Sequence, residues 1–331
     1  MALQVAVIGA GTWGTTIAAL SAASQPTVLW ARRKDVADEI AAAHTNATYL
    51  PGIALPASLT ATPSLDEAVA VADVVVMAVP SHGFRAVVEE AASSLRAGVP
   101  IVSLTKGLEP GTHLRMSEVA ASASPSSPIG VLTGPNLARE IALGQPAGAV
   151  LACADRAVAD ALQPLFAAPH LRVYTNHDVV GCEIGGVVKN VIAIAAGMVE
   201  GMGFGDNTKA TVITRGLAEL ARLGTALGGE AQTFSGLAGL GDLVATCASA
   251  QSRNHHVGVE LGRGRSLAAI EAGVPTVAEG VRSSTAVVEL ARQHGVQVPI
   301  AEQVDAVCHR GATREQAMQA LLQRRAGAEW A

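Results

Sequence analysis

The sequence predicts an α/β protein of two domains, a doubly wound domain over residues 1–180 and an all-helical domain over residues 181–331. A short apolar strand runs into a glycine-rich turn within the first 15 residues. Strand and helix patterns then alternate up to about residue 180. Beyond Asp178 the strand patterns nearly vanish, and long helical patterns separated by glycine-rich turns replace them. A length of 331 residues also favours two domains.

The glycine-rich turn follows the first strand, which we expect over residues 3–8. It contains the GxGxxG pattern of the Rossmann dinucleotide-binding fold, in the segment Gly9-Ala-Gly11-Thr12-Trp13-Gly14-Thr15. In that fold Gly9 makes the tight turn, Gly11 lets the backbone approach the pyrophosphate, and Gly14 lets the helix pack on the strand. The helix N-terminus then faces the phosphates. We therefore predict a dinucleotide site here; a purely structural glycine turn is the alternative.

The second strand, over residues 27–30, ends where an acidic residue normally binds the ribose 2′-hydroxyl of NAD. Here the chain continues with Arg32, Arg33 and Lys34. Arginines at this place suit a 2′-phosphate, so NADPH is predicted to be preferred over NADH. The alternative is a basic turn that is only solvated.

Further strands are expected between the second strand and residue 180. They cover residues 74–79, 101–104, 129–132, 147–151 and 171–174, with alanine-rich helical patterns between several of them. Residues 122–128 look like a surface loop, because strand patterns resume on both sides. This alternation predicts a doubly wound sheet.

Lys189 and Asn190 stand side by side in the otherwise apolar helical pattern of residues 184–199. Burying an unpaired ammonium is costly, so a lysine here needs a local reason. On a helix Lys189 shares a face with Gly185 and Gly186, whose missing side chains are expected to leave space for a small molecule. The alternative is a lysine that extends to the helix rim.

Two segments that follow predicted strands carry further candidate groups. Lys106 comes just after the strand 101–104, at the carboxyl end where open α/β sheets bind ligands. The segment 133–136 follows another strand, so its backbone amides and the Asn136 amide are expected to face the same crevice. A surface lysine and an ordinary turn are the alternatives.

The densest group of polar residues lies in the predicted helical domain. Asp242 directly precedes an apolar helical pattern, so it either caps a helix that begins at Leu243 or belongs to a site, and the two roles are not exclusive. Ser252, Arg253 and Asn254 supply a hydroxyl, a guanidinium fork and an amide, a set suited to phosphate oxygens. A solvated helix N-terminus is the alternative.

Composition limits the partners. A net charge of -5 gives no overall attraction to nucleic acid or to anionic membranes. The 4 cysteines are scattered without CxxC spacing, which argues against a zinc site and suits a reducing cytoplasm. The first strand begins too early for a signal peptide, and no apolar run reaches the roughly 18 residues that a membrane span needs. We expect a cytoplasmic protein with no metal site.

Together these motifs resemble the bacterial-type glycerol-3-phosphate dehydrogenase (NAD(P)+) family over nearly the whole chain. The matching segments, in order, are 9–15, 80–82, 105–109, 134–135, 186–190, 203–205, 214–219, 239–243, 252–254 and 279–280. One position departs from the family pattern: Asn136 stands where Thr or Ser is usual.

The resemblance implies reduction of dihydroxyacetone phosphate to sn-glycerol 3-phosphate with NADPH or NADH, which supplies phospholipid synthesis. It implies Lys189 as proton donor and acceptor. The implied substrate-binding residues are Lys106, Gly134, Asp242, Ser252, Arg253 and Asn254, with Asn136 at a further such position. The implied cofactor-binding residues, besides the glycines, are Thr12, Trp13, Arg32, Arg33, Lys106, Ala138, Arg253, Val277 and Glu279.

In the implied mechanism, Lys189 as an ammonium stabilises the ketone oxygen while hydride is transferred to the carbon, and then protonates it. Asp242 would hold Lys189 or the substrate hydroxyl. Two rivals stay open. One is a 3-hydroxyacid or ketopantoate-type reductase, which acts on a carboxylate. The other is a non-catalytic dinucleotide sensor, which needs no buried lysine. A homodimer is compatible with the sequence, which does not determine the oligomeric state.

Overall fold

The computed structural model describes residues 2–273 and 278–325. Eight strands form one sheet in the spatial order β3-β2-β1-β4-β5-β6-β7-β8. The strands are β1 (Val5–Ile8), β2 (Thr27–Trp30), β3 (Leu59–Thr62), β4 (Val74–Met77), β5 (Ile101–Ser103), β6 (Ile129–Thr133), β7 (Ala147–Cys153) and β8 (Leu171–Asn176).

The first six strands are parallel and have the 3-2-1-4-5-6 order of the doubly wound dinucleotide-binding fold. The strand order reverses between β1 and β4, which places a crevice at the carboxyl ends of these strands. β7 pairs antiparallel with β6, and β8 pairs parallel with β7. The last two strands therefore run against the other six.

Helices cover both faces of the sheet. They are α1 (Thr12–Ser21), α2 (Lys34–Ala43), α3 (Leu65–Ala70), α4 (Ser81–Ser94), α5 (Met116–Ala123), α6 (Ala138–Ala142) and α7 (Arg156–Phe166). Separate apolar clusters lie on the two faces, one around Ile17, Leu29 and Val76, the other around Ile8, Phe84 and Met116. The predicted strands agree with the structure to within two residues at each end, and β3 was not predicted.

A helical assembly follows the sheet. Its helices are α8 (Val179–Gly201), α9 (Asp206–Ala226), α10 (Ala231–Phe234), α11 (Asp242–Ala248), α12 (Arg253–Gly262), α13 (Leu267–Glu271), α14 (Glu279–Gln293), α15 (Pro299–His309) and α16 (Arg314–Leu322), with a π-helical segment (Leu237–Gly241) before α11. A third apolar cluster, which includes Val191, Leu220 and Val287, forms its core. The predicted fold class, a doubly wound domain followed by a helical one, is confirmed.

α8 is the central helix of this assembly and is almost completely buried. With 23 residues and a mean hydropathy of 1.7 it is long and apolar enough to cross a membrane, which the sequence did not indicate. However, 89% of its apolar window is buried inside the protein. We therefore describe α8 as a core helix.

α8 and α12 touch backbone to backbone. A Cβ at Gly197 would lie 2.2 Å from the carbonyl oxygen of His255, and one at Gly258 would lie 2.1 Å from that of Ile194. Only glycine permits such an approach, because any side chain would push the helices apart. This contact fixes the start of α12, which carries Ser252 to Asn254, beside the middle of α8.

The two parts of the chain meet at the start of α8. β8 ends at Asn176, and Asp178 caps α8 by accepting a hydrogen bond of 2.7 Å from the Gly181 amide. The predicted division at residue 180 falls in the first turn of α8. The two parts of the chain are in contact there, since Cys182 of α8 packs against Val150 of β7. The position of the boundary stays a prediction.

Candidate active site

The glycine turn after β1 has the geometry that the sequence predicted. Gly9 has a φ of 119°, and a Cβ there would lie 2.6 Å from the carbonyl oxygen of Ala78. A Cβ at Gly14 would lie 2.0 Å from the carbonyl oxygen of Gly9, so α1 packs directly on the turn. A Cβ at Gly11 would meet no atom within 4 Å. The first amides of α1 therefore border open space, as a helix N-terminus that binds phosphate requires.

Three other predicted cofactor residues lie in or beside α1. Thr12 donates a hydrogen bond of 2.8 Å to the carbonyl oxygen of Tyr49, and the buried Trp13 Nε1 has no partner among the residues that the structure describes. Ala138 begins α6, and its carbonyl oxygen accepts a hydrogen bond of 3.4 Å from Thr16 of α1.

Glu279 begins α14 and links it to the sheet domain. Its Oε2 accepts a hydrogen bond of 3.0 Å from the Ser81 hydroxyl at the start of α4. Val277, the remaining predicted cofactor residue, lies outside the described residues. Ser81 belongs to the matching segment 80–82 but was given no role in the site, because nothing local in the sequence indicates what its hydroxyl contacts.

Arg32 and Arg33 lie in the turn between β2 and α2, on the exposed surface. The Arg33 guanidinium forms an ion pair with Asp35. Lys34 pairs with Asp38 at 2.7 Å. Arg32 has no such partner among residues 2–273 and 278–325. Of the two predicted arginines, Arg32 is therefore the one whose guanidinium is available to an anion.

Two lysines from different parts of the chain meet at one carboxylate. Lys189 Nζ of α8 lies 2.7 Å from Asp242 Oδ1, and Lys106 Nζ lies 2.6 Å from Asp242 Oδ2. The side chain of Asp242 is 2% exposed, that of Lys189 7% and that of Lys106 18%. Lys106 follows β5, so the cluster lies at the carboxyl ends of the strands. It carries one net positive charge when both amines are protonated.

Each ammonium in this cluster makes one more hydrogen bond. Lys189 donates to the Thr246 hydroxyl at 2.6 Å, and Lys106 donates to the Gly134 carbonyl oxygen at 2.9 Å. An ammonium has three N–H groups, so each lysine retains one for a ligand. The sequence did not indicate that Thr246 binds Lys189. Its position one helical turn after Asp242 was the only feature that distinguished it from other threonines.

Burial lowers the pKa of Lys106 from its ordinary value of 10.5 to about 8. Asp242 opposes this effect, because a carboxylate favours the charged amine, whereas the charge of Lys189 adds to the lowering. Above a pH of about 8 the cluster therefore loses one positive charge.

One expectation about this cluster and one alternative for Asp242 were wrong. The space beside Gly185 does not admit a ligand, because a Cβ there would lie 2.5 Å from the carbonyl oxygen of Ala238, and Gly186 accommodates the methylene groups of Lys106. Asp242 does not cap a helix that begins at Leu243. It is itself the first residue of α11, and its carboxylate binds the two lysines.

Unpartnered polar atoms lie in the segment 133–136, which contacts Lys106 through the Gly134 carbonyl oxygen. Among the described residues, the buried Thr133 hydroxyl oxygen and both amide atoms of Asn136 have no hydrogen-bond partner. These residues flank Gly134, whose carbonyl oxygen binds Lys106. Buried polar groups are normally paired, so these unpaired ones make the segment 133–136 a candidate for ligand contacts. A single feature of the sequence indicated that Thr133 lies near the site, which is its position at the end of β6.

The start of α12 is joined to the residue after Lys189. Asn254 Nδ2 donates to Asn190 Oδ1 at 2.9 Å, and Asn254 Oδ1 accepts from the Gly280 amide at 2.8 Å. Ser252 caps α12, but Ser252 and Asn254 are buried and not solvated as the alternative required, and the Ser252 hydroxyl proton stays available. Arg253 is exposed, and no described residue pairs with its guanidinium.

A separate cavity of about 1340 Å³ lies among α8, α9, α15 and α16. None of the sequence-predicted residues line it. The lysine cluster, and not this cavity, is therefore the candidate site.

Within residues 2–273 and 278–325, no three His, Cys, Asp or Glu side chains lie together in a way that could hold a metal ion.

The strand order, the open glycine turn and the lysine cluster define a dinucleotide-dependent dehydrogenase. Two family models match the chain: the N-terminus of NAD-dependent glycerol-3-phosphate dehydrogenase over residues 4–159, and its C-terminus over residues 178–319. The chain belongs to the NAD(P)-dependent glycerol-3-phosphate dehydrogenase family.

Individual relatives agree. The chain is 54% identical over 329 residues to glycerol-3-phosphate dehydrogenase (NAD(P)+) 2 of Sphingopyxis alaskensis, covering 99% of both chains. It is 50% identical over 320 residues to the Mycobacterium avium enzyme, covering 96% of this chain and 94% of the other. The crystal structure of glycerol-3-phosphate dehydrogenase from Coxiella burnetii matches with a TM-score of 0.93 and 35% identity, covering 98% and 99%. The predicted family, enzyme class and nicotinamide cofactor are confirmed.

Proposed function

We propose that this chain reduces dihydroxyacetone phosphate to sn-glycerol 3-phosphate at the cluster of Lys106, Asp242 and Lys189, with NADPH preferred to NADH. The observation that carries the proposal is the bridging of both lysines by Asp242 at the carboxyl ends of the strands. Each amine there retains one N–H group, and the cluster has a net positive charge that suits an anionic substrate.

When bound, the nicotinamide supplies the hydride. Lys189 directs its remaining N–H group at the ketone oxygen, stabilises the negative charge that develops there, and then transfers a proton to it. Asp242 and Thr246 hold the amine in place through the hydrogen bonds of 2.7 and 2.6 Å. Lys106 supplies a second N–H group and a second positive charge to the same crevice.

The start of α12 holds the substrate phosphate in this proposal. The Arg253 guanidinium provides a fork for two phosphate oxygens, and the Ser252 hydroxyl and the second Nδ2 hydrogen of Asn254 add donors. The hydrogen bonds from Asn254 to Asn190 and Gly280 hold this segment next to Lys189. A phosphate anchored here orients the distant ketone for reaction.

Asn136 is proposed to recognise the hydroxymethyl group of the substrate. Its amide has both a donor and an acceptor without a partner among the described residues. A hydroxyl group satisfies both atoms, whereas a carboxylate accepts only and leaves the amide oxygen unpaired. This arrangement favours dihydroxyacetone phosphate over 2-keto acids. A ketopantoate reductase from Ralstonia eutropha, with a TM-score of 0.60 and 16% identity, shares only the fold.

The substrate is tested by following NADPH absorbance after adding dihydroxyacetone phosphate or ketopantoate to the enzyme. We expect turnover with the phosphate and none with the acid. Turnover of ketopantoate alone would assign the chain to the acid reductases. NADPH binding without turnover of either compound would assign it to the dinucleotide sensors.

We also infer a cytoplasmic location and a role in supplying glycerol 3-phosphate for phospholipid synthesis. Four free cysteines support the location, because they suit a reducing compartment. The homodimer stays a prediction.

The first testable prediction concerns the cofactor. Arg32→Ala is expected to raise the KM for NADPH by about 10- to 100-fold, because a charge-assisted contact to the 2′-phosphate contributes roughly 1.5–3 kcal/mol. The KM for NADH should barely change, because NADH lacks that phosphate. Arg33→Ala is the matched control and should have a smaller effect, because Asp35 already binds the Arg33 guanidinium. Equal losses with both cofactors would contradict the assignment.

The second prediction concerns the phosphate. Arg253→Lys is expected to lower kcat/KM for dihydroxyacetone phosphate by about 10- to 100-fold, because a point charge does not reproduce the guanidinium fork. Arg263→Lys is the control, since Arg263 lies in the turn after α12 and pairs with Glu260 at 2.7 Å. Steady-state kinetics of both variants measure the effect. Near-normal kinetics of Arg253→Lys would place the phosphate elsewhere.

The third prediction concerns pH. Burial lowers the pKa of Lys106 to about 8, so its positive charge is present below that pH and lost above it. We expect kcat/KM for ketone reduction to fall about tenfold per pH unit above the pKa of Lys106. This fall is the alkaline limb of the pH profile. It should be absent in Lys106→Arg, because a guanidinium stays protonated. A wild-type profile that is flat up to the ordinary pKa of a lysine would contradict the prediction.

A further inference from the structure

A π-helical turn directly precedes the carboxylate that joins the two lysines. The turn covers Leu237–Gly241, and the amide of Gly241 donates to the carbonyl oxygen of Gly236 at 3.1 Å. A π turn contains one residue more than an α turn, is rarely stable by itself, and occurs frequently at functional sites. Its presence next to Asp242 therefore needs a local cause.

The turn is held from one side by Phe234. A Cβ at Gly239 would lie 2.2 Å from the carbonyl oxygen of Phe234 and 2.4 Å from its Cα atom. These are backbone atoms of a residue whose side chain is fully packed in the helical core, so they have no room to move away. Only glycine at position 239 allows the turn to fold back this closely.

α8 holds the turn from the other side. The carbonyl oxygen of Ala238 fits into the space beside Gly185, where a Cβ would lie only 2.5 Å away. Gly185 precedes Lys189 by four residues, so it lies one helical turn away on the same face of α8. The backbone of the π turn is therefore fixed relative to Lys189 itself.

The direction of Asp242 depends on this turn. Successive residues on a helix point about 100° apart, because there are about 3.6 residues per turn. Opening the π turn, or closing it as an α turn, would rotate Asp242 about the axis of α11. Its two oxygens lie within 2.6 and 2.7 Å of two different amines, and such a double contact tolerates little rotation.

We propose that Gly239 is a positioning residue, which through the π turn holds Asp242 between Lys106 and Lys189. Gly239 touches no reacting atom and acts only through the direction of the carboxylate. This inference rests on the proposed function, because it assigns the turn to the same lysine cluster.

A matched pair of variants within the same turn tests the proposal. Gly239→Ala places a methyl group against the Phe234 backbone, whereas Gly241→Ala places it in ordinary contact, 3.4 Å from the nearest atom, Leu237 Cδ2. Gly241 has helical φ and ψ angles of -60° and -49°, so alanine fits without strain. Both variants add one methyl group to the same segment, and only one of them forces the turn to move.

We expect Gly239→Ala to lower kcat by about 100-fold, the effect of an ångström-scale misplacement of a reacting group, with NADPH affinity unchanged. Gly241→Ala should have wild-type kinetics. The pH profile provides a readout that a structural defect would not move. Lys106 faces two charged groups among the described residues, Asp242 and Lys189, and loses the supporting charge when Asp242 turns away. The alkaline limb should therefore move to lower pH in Gly239→Ala only.

Wild-type kcat and an unmoved limb in Gly239→Ala would overturn the proposal, as would equal losses in both variants. If Gly239→Ala fails to bind NADPH, Gly185→Ala serves as the second variant, because it displaces the turn from the side of α8. It should show the same loss of kcat and the same shift of the alkaline limb to lower pH. Normal kinetics of a folded Gly185→Ala would then overturn it. Absence of wild-type turnover with dihydroxyacetone phosphate would instead refute the proposed function.

Discussion

Lys189→Met is expected to lower kcat by about 10²- to 10⁴-fold while NADPH affinity stays close to that of the wild type. Methionine keeps the apolar stem of the side chain and removes the amine, which is proposed to act on a charge that exists only in the transition state. The fold should persist, because Asp242 keeps Lys106 as a partner at 2.6 Å and is not left as an unpaired buried charge.

Steady-state kinetics and NADPH titration of the same preparation measure both quantities. Lys209→Met is a suitable control, since Lys209 lies in the helical part and pairs with Glu200 at 2.5 Å, away from the cluster. A stable Lys189→Met protein that binds NADPH and turns over at the wild-type rate would show that Lys189 has a structural role only.

Asp242→Asn should have the second large effect, and it should affect stability as well as activity. It leaves Lys106 and Lys189 without the carboxylate that neutralises them. Removal of one partner from a buried ion pair costs about 3–5 kcal/mol. Activity should also fall, because the amide holds neither amine as firmly as the carboxylate does.

The loss of stability in Asp242→Asn should depend on pH. Asp242 raises the pKa of Lys106 in the wild type, so without it the pKa falls below about 8 in the folded state, while the unfolded value stays near 10.5. Between this lower value and about 8 the folded variant has already lost the Lys106 proton that the folded wild type keeps, so the stability of the variant rises with pH relative to the wild type across this window. Denaturant unfolding at several pH values measures this dependence.

The double variant Lys106→Met with Asp242→Asn provides the control. It leaves a single amine in the cluster, so it should recover part of the lost stability without recovering activity. Equal stability of the wild type and Asp242→Asn throughout the acidic and neutral range would contradict the electrostatic account.

The cofactor half of the fold was predictable because its signals are local. The strand, the glycine turn and the start of α1 occupy a dozen consecutive residues, and the roles of Gly9 and Gly14 follow from backbone contacts within and beside that segment. The order of the first six strands follows from the doubly wound fold itself. β3 was missed because Leu59–Thr62 is short, contains two threonines and precedes a proline, so its apolar alternation is weak.

The cluster of Lys106, Asp242 and Lys189 was only partly predictable. The lysines and Asp242 stood out as polar residues in apolar surroundings, but their contacts join residues 53 and 136 positions apart in the chain. Sequence periodicity carries no information about such pairs. For the same reason Gly185 was expected to face a ligand, although the backbone of Ala238 occupies that space.

The reversal of β7 and β8 was also not visible in the sequence. A buried strand has the same apolar pattern in either direction, so the pattern predicts that a strand exists and not which way it runs. The connection from β6 to β7 covers residues 134–146 and includes the five residues of α6, and β7 pairs antiparallel with β6. A parallel crossover needs about a dozen residues or more, so the length of this connection does not determine the direction of β7 either.

Chemical rescue of Lys189→Ala by ethylammonium tests most directly whether the amine of residue 189 acts on the reacting oxygen. The truncated side chain leaves space beside Lys106, which is 18% exposed and borders the crevice. We predict that ethylammonium raises kcat of Lys189→Ala at least about tenfold with saturation, and that tetramethylammonium, which has no N–H group, does not. An unchanged rate at high ethylammonium concentration, in a variant that still binds NADPH, would contradict the account.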